Sequence, residues 1–234
     1  LMCRSCQPGY SHLIEREARV NNLNFFYNNK NRKYCSIDIV DIDNLNSNSV
    51  VYLTGGEPTV ISDVYKFMRD CIDKNRTDFQ LTFSTNGMHF GDTFADLCKH
   101  FPNINFSLSL DGYDKVNDYW RWKSKWEQIV HNAKLMKNLG FSINVNCVPG
   151  IYNVSNLYLL YEFLEKELPM ATVYLQMNYR DDQSCMNFPN AELVVKSMER
   201  CMQTSIYHSD GKSNKTMIDS LHNHYSNNPK VDLV

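Results

Sequence analysis

Cys3 and Cys6 stand in a C-x-x-C arrangement within the opening string LMCRSCQPGYSH. Thiolates at that spacing can form half of a zinc site, a thioredoxin-like redox pair or two of the ligands of an iron-sulfur cluster. No second C-x-x-C and no matching histidine pair follows at zinc-finger spacing, which weighs against structural zinc. Three further strings combine glycine with small polar or acidic residues: Gly55-Gly56-Glu57-Pro58, Ser84-Thr85-Asn86-Gly87 and Ser109-Leu110-Asp111-Gly112. Paired glycines let a ligand approach the backbone closely, and a carboxylate directly after them can meet a cationic group. Taken singly, Gly, Asn and Asp at such places serve equally well to turn the chain into the next helix.

What precedes these strings gives them meaning. Five β-branched or aromatic runs predict strands: Val50 to Thr54, Phe79 to Phe83, Ile104 to Leu110, Phe141 to Val148 and Thr172 to Met177. Between them apolar residues recur at helical spacing, as in Val64, Phe67, Met68 and Cys71, or Trp126, Ile129, Val130, Ala133, Leu135 and Met136. Strand and helix alternate at the length of a βα unit, which implies a mostly parallel sheet and an α/β barrel or partial barrel. Each strand exits into glycine or small polar residues, the last two into Pro149-Gly150 and Asn178. In parallel sheets ligands sit at the carboxyl ends of the strands, so these residues are expected to line one site.

Around this frame, residues 11–28 predict a helix with Leu13, Ile14, Val20 and Leu23 on its apolar stripe, and CSIDIVDIDNL suits either an edge strand or a loop. Beyond Asn178, YRDDQSCMNFPN reads as a loop, AELVVKSMERCMQTSIYH as one amphipathic helix, and SDGKSNK as a turn before a further short helix. The expected division is a core over residues 1–178 and a helical extension over 179–234, where substrate specificity would be built.

Composition narrows the function classes. At 43% hydrophobic and 21% charged residues the chain has the balance of a soluble globular protein. A net charge of -2 provides no general field for polyanions, and no local basic patch stands out, so nucleic acid and acidic membranes are not expected partners. The sequence holds no uncharged apolar run near the roughly 18 residues of a bilayer span and no signal pattern at its start, which predicts a cytoplasmic protein. Eight cysteines in 234 residues are too sparse for a disulfide scaffold. Cys71, Cys98 and Cys147 fall on apolar faces and read as small core residues. Cys35, Cys185 and Cys201 match no compact ligand set and read as free thiols, with auxiliary-cluster ligation open to them if a further cluster-binding domain follows.

Taken together, the C-x-x-C pair, GGEP, STNG and SLDG resemble the radical S-adenosylmethionine (radical SAM) superfamily over nearly the whole chain to about Met177. CRSCQPGYSH is most similar to members with twitch or SPASM-type C-terminal extensions. The family signature is C-x-x-x-C-x-x-C; with Cys3 and Cys6 as its second and third cysteines, the first falls two positions ahead of Leu1, and the chain is expected to be truncated there and at its far end. Ser5 departs from the aromatic residue the family often has before its third cysteine.

The resemblance implies a partial (β/α)6 TIM-like barrel and two cofactors, a [4Fe-4S] cluster and S-adenosylmethionine (SAM). Three thiolates, Cys3 and Cys6 among them, would hold three irons, leaving the fourth open to the amino and carboxylate groups of SAM. An external electron donor reduces the cluster, and cleavage of the sulfonium gives a 5'-deoxyadenosyl radical that takes hydrogen from a substrate, with a peptide or protein as the favoured class. By the same resemblance Gly55, Gly56, Glu57 and Pro58 would meet the methionine amino end. Ser109, Asp111 and Asn86 would lie at the ribose and carboxylate, Arg121 would pair with the carboxylate, and Asn146 with Leu175 or Gln176 would flank the adenine. Arg121 also lies in an aromatic cluster of Tyr119, Trp120, Trp122 and Trp126, where a stacked structural role is equally open. Two other readings fit the residues: a cluster-free barrel lyase or aldolase, and a degenerate barrel acting as a binding protein.

Overall fold

The computed structural model describes residues 2–3, 20, 37–176, 184–209 and 212–228. The strands among them are β1 (Met2–Cys3), β2 (Val50–Leu53), β3 (Gln80–Thr85), β4 (Ile104–Ser109), β5 (Arg121–Trp122), β6 (Ser142–Cys147) and β7 (Thr172–Leu175). Five of these form one parallel sheet in the order β2-β3-β4-β6-β7. The short β1 and β5 pair antiparallel, with Met2 opposite Trp122 and Cys3 opposite Arg121. Helices α1 (Ser62–Asp73), α2 (Asp92–Cys98), α4 (Trp126–Asn138) and α5 (Leu157–Glu167) connect the parallel strands, and α3 (Lys115–Trp120) leads directly into β5. The architecture is a parallel α/β partial barrel of the TIM-like kind followed by helices.

Successive side chains on a strand point to opposite faces, and the sequence assigns the two faces opposite chemistry. One face joins Val51, Leu81, Phe83, Phe106, Leu108, Ile143, Val145, Cys147 and Val173, all buried in a single core. The register places Phe83 beside Phe106 and Phe106 beside Ile143. The Phe83 and Phe106 rings stack at 5.4 Å, and Phe94 of α2 meets Phe83 edge-on at 5.2 Å. Helix α1 covers this face with the stripe expected of it, Val64, Phe67, Met68 and Cys71, and α4 with Trp126, Ile129, Ala133 and Met136, whereas Val130 is only partly buried and Leu135, expected in the same stripe, is exposed. The other face carries rows of small polar residues, Thr82–Asn105–Ser142, Ser84–Ser107–Asn144–Thr172 and Ser109–Asn146, the last row ending on the larger Tyr174.

Two segments differ from their sequence expectation for local reasons. CSIDIVDIDNL contains two 3-10 turns, Ile37–Ile39 and Ile42–Asn44; the second is capped by the Asp41 carboxylate, which accepts from Asp43 N–H and Asn44 Nδ2 and so competes with strand pairing there. The helix expected over AELVVKSMERCMQTSIYH is two, α6 (Ala191–Met202) and α7 (Ser205–Ser209). At the break, the Thr204 hydroxyl donates to Cys201 C=O and accepts from Tyr207 N–H, while Glu165 accepts from Ser205 N–H, an interaction that lowers the Glu165 carboxyl below its ordinary pKa. The last helix, α8 (Lys212–Asn227), is longer than the short one expected. These helices join the sheet's core through Val194, Met198, Cys201, Ile206, Ile218, Leu221 and Tyr225. Most of the helix expected over residues 11–28 lies outside the described residues; Val20 within it is helical and exposed. Among the described residues no helix is long and apolar enough to cross a membrane.

Cys71, Cys98, Cys147, Cys185 and Cys201 are buried and form no disulfide. Burial raises the Cys71 thiol to about 12 and Cys185 to about 11, and pushes Cys98 and Cys147 up as well. Iodoacetamide at about pH 8 therefore finds almost no thiolate at these four sites. Cys201 is sealed in the core with them. Mass spectrometry of the native, metal-free protein is expected to show no adduct at the five positions and full modification after unfolding. Native labelling of any of them would contradict this packing.

Candidate active site at the strand ends

Beyond β2 the chain turns through Gly55 and Gly56, whose φ values of +84° and +59° lie in the left-handed region that side chains disfavour. A Cβ at Gly55 would meet nothing within 4 Å, so backbone conformation rather than crowding selects glycine there, and the turn stands open. The Glu57 side chain does not share that openness. Its Oε1 accepts from the Thr85 hydroxyl at 2.6 Å and the Thr59 hydroxyl at 2.8 Å, and its Oε2 accepts from Asn86 N–H at 2.8 Å. One carboxylate thereby ties the loop after β2 to the loop after β3. The second loop is fixed in turn, since Thr85 Oγ1 accepts from Gly87 N–H, Asn86 Oδ1 accepts from Met88 N–H, and Asn132 of α4 donates to Gly87 C=O. Pro58, which is buried, starts a 3-10 turn that leads toward α1.

At the end of β4, Asp111 is 1% exposed and forms an ion pair with Arg121 at 2.8 Å, the arginine side chain being 12% exposed. The other carboxylate oxygen of Asp111 accepts from Val148 N–H at 2.8 Å, just past β6. Its backbone is held too: Asp111 N–H donates to Asn117 Oδ1, and Asn153 Nδ2 donates to Asp111 C=O at 2.6 Å. Gly112 is required by crowding, because a Cβ there would lie 2.7 Å from Val116 Cγ1.

The remaining expected residues lie on or beside the polar face. Ser109 and Asn146 are register partners, and Asn146 Nδ2 donates to the Ser107 hydroxyl at 2.7 Å. Gln176 follows β7, exposed, with its N–H donating to Cys147 C=O. Thus Gly55, Gly56, Glu57, Pro58 and Asn86 form one group over β2 and β3, while Ser109, Asp111, Arg121, Asn146 and Gln176 form another over β4, β6 and β7. Cys3 enters through its backbone pairing with Arg121; Cys6 lies outside the described residues. An open groove of about 740 Å³ runs along β2 and reaches Thr54 and Gly55, with Ile39, Val40 and Ile61 on its wall.

Residues given no individual role in the sequence complete the site, Ser84 and Thr85 having been expected only to line it as part of STNG. Thr59 and Thr85 hold Glu57, Asn153 fastens the loops after β4 and β6, and Ser84, Ser107 and Asn144 extend the polar face. The alternation of Ser, Thr and Asn with apolar residues inside the strands carries the signal for the last three. Nothing local in the sequence marks Asn153.

A parallel half-barrel with its loops fastened over a polar face defines a class of enzyme scaffold. The chain belongs to the radical SAM superfamily, whose domain matches residues 38–164, more than half of its length. Solved structures share the fold. AdoMet-bound anSMEcpe with the Cp18Cys peptide superposes with a TM-score of 0.51 at 14% identity, covering 71% of this chain and 48% of that one. A histidine-tagged form of anSMEcpe with bound AdoMet gives 0.51 at 16% identity, covering 69% and 45%. SuiB of Streptococcus suis bound to S-adenosylmethionine gives 0.48 at 19% identity, covering 56% and 30%. The chain spans about half or less of the length of these structures. No curated protein matches it.

Family membership points to SAM and an iron-sulfur cluster as cofactors. The residues present suit both. The open Gly55-Gly56 turn and the polar face offer backbone and side-chain groups to a polar cofactor. Beside the strand that pairs with Cys3, Asn117 Nδ2 and Trp120 Nε1 are buried donors that find no hydrogen-bond partner among the described residues, a type of group that sulfur-rich acceptors can use.

In the Glu57→Gln variant the amide oxygen can keep Asn86 N–H only if the Thr59 and Thr85 hydroxyls turn round to accept from the amide nitrogen, so three charge-assisted hydrogen bonds become neutral ones. We expect a loss of about 1–2 kcal/mol in chemical denaturation, the difference between hydrogen bonds to a charged acceptor and neutral ones. Unchanged stability would show that the carboxylate is not the tie between the two loops.

Proposed function

We propose that this protein binds a [4Fe-4S] cluster and SAM over the carboxyl ends of β2 to β7 and uses them to abstract hydrogen from a peptide or protein substrate. The observation that supports this reading is a shared end of the sheet: the open glycine turn follows β2, polar Ser109 and Asn146 lie at the carboxyl ends of β4 and β6, and Arg121, which pairs with Cys3, reaches Asp111 just past β4. When bound, the cofactors supply one-electron cleavage of the sulfonium to a 5'-deoxyadenosyl radical. Residues 1–178 would act as the core and 179–234 as the extension that shapes substrate choice.

The chain's own residues bind and orient. Cys3 and Cys6 would supply thiolates to the cluster. Backbone carbonyls of the Gly55-Gly56 turn would accept from the methionine ammonium, while Glu57, turned inward, holds that turn against Asn86. Ser109, Asn146 and Gln176 would present hydroxyl and amide groups to the ribose and adenine. A protein or peptide substrate is supported by the resemblance to twitch-type members and by the peptide in the anSMEcpe structure. Reduction requires an external electron donor.

Anaerobic reconstitution of the full-length gene product tests the reading. Iron-sulfur absorbance and release of 5'-deoxyadenosine from SAM under dithionite are expected. Both should fall to background in the Cys3→Ala/Cys6→Ala double variant. Cleavage undiminished in that variant, or a folded protein that takes up no iron, would overturn the proposal.

A further inference from the structure

The Asp111–Arg121 pair occupies an unusual position between two parts of the fold. Arg121 belongs to β5, whose partner across the antiparallel ladder is Cys3. Asp111 closes β4, and its second oxygen accepts from Val148 N–H at the end of β6. The guanidinium therefore connects the two-residue strand bearing Cys3 to the ends of two central strands. That connection is braced from behind. Asp118 accepts from the Ser124 hydroxyl at 2.5 Å and from Trp126 N–H at 3.1 Å, and Ser124 N–H donates to Arg121 C=O at 2.9 Å. The tight turn after β5 passes through Lys123 at a φ of +74°. With an ion pair on one side and a capped turn on the other, β5 has little freedom relative to the sheet.

We infer that Asp111 and Arg121 are positioning residues: their ion pair is a latch that fixes the cysteine-bearing strand β1 against the carboxyl ends of β4 and β6, and it acts whether or not SAM is bound. This rests on the cluster being held by Cys3, as proposed above. It replaces the sequence expectation that the two side chains contact the cofactor directly. Asp111 is enclosed by protein donors, and its partner is aimed at it. Outer groups that orient a metal ligand govern how firmly the metal is kept.

The decisive experiment uses the reconstituted full-length protein without SAM. Iron release to a chelator and the electron paramagnetic resonance spectrum of the reduced cluster are compared in wild type, Arg121→Lys, Asp111→Asn and the Asp111→Asn/Arg121→Gln double variant. Release is expected to accelerate about tenfold in Asp111→Asn, the lower end of the effect of removing an outer-sphere partner, and less in Arg121→Lys, which keeps the charge. The double variant should be no worse than Asp111→Asn, because one interaction is lost in both. The SAM-free spectrum should broaden as the cluster samples more than one setting, a change that lowered thermal stability alone would not produce. Arg121→Lys, the mildest change, supplies the comparison if the others do not fold. Unaltered release and spectra in folded variants, with only SAM affinity reduced, would overturn the latch and return Arg121 to the cofactor. Absence of any cluster in the wild type would instead defeat the cofactor reading beneath it.

Discussion

A carboxylate removed from water must find partners or lose its charge, and Asp111 meets that demand with one cation and one backbone N–H drawn from separate parts of the chain. The loops over the central strands are organised around it. Removing one partner of such a pair typically costs about 3–5 kcal/mol, since the survivor stays buried and uncompensated. Asn117 and Asn153 secure the same residue through its backbone, so the turn after β4 is held on four sides by groups from α3, β5, the end of β6 and the segment beyond it. Glu57 performs the parallel task over β2 and β3. Two acidic residues, each facing protein rather than solvent, give the strand ends a fixed shape.

This arrangement is possible because the sheet beneath it is chemically two-sided. Phenylalanines and aliphatic side chains on one face pack into the helices and supply the apolar burial, at about 25 cal/mol per Å², that drives folding. The other face is thereby left free to carry hydroxyls and amides, which contribute little to stability and much to recognition. Asn146 and Ser107 satisfy each other across adjacent strands, which aligns polar groups without fixing them to the core.

The parts of this structure legible in the sequence are those whose signal is local. The stripe Val64, Phe67, Met68, Cys71 is a complete statement of which side of α1 is buried, and Gly55-Gly56 announces a backbone that only glycine adopts readily. The pairing of Asp111 with Arg121 is not legible. Both side chains sit among residues suggestive of ligand contact, and their mutual engagement depends on α3 returning the chain so that Arg121 faces the end of β4. Thr204 escapes for a different reason: a threonine inside an amphipathic pattern looks like any other helical residue until its hydroxyl takes the carbonyl three positions back. Cys6 and most of the first expected helix lie outside the described residues.

The alternation on β6 has a chemical corollary. Sulfhydryl groups give up hydrogen atoms readily, and a scavenger next to a hydrogen-abstracting species would intercept it before the intended target. Ile143, Val145 and Cys147 all face the helices, while Asn144 and Asn146 face the other way. Slipping the pairing of β6 by a single residue would exchange the two sets and bring that sulfur to the polar face. Under the radical chemistry proposed above, strand register would thus be a safeguard against self-inflicted damage, set by nothing more than which residues are odd and which are even.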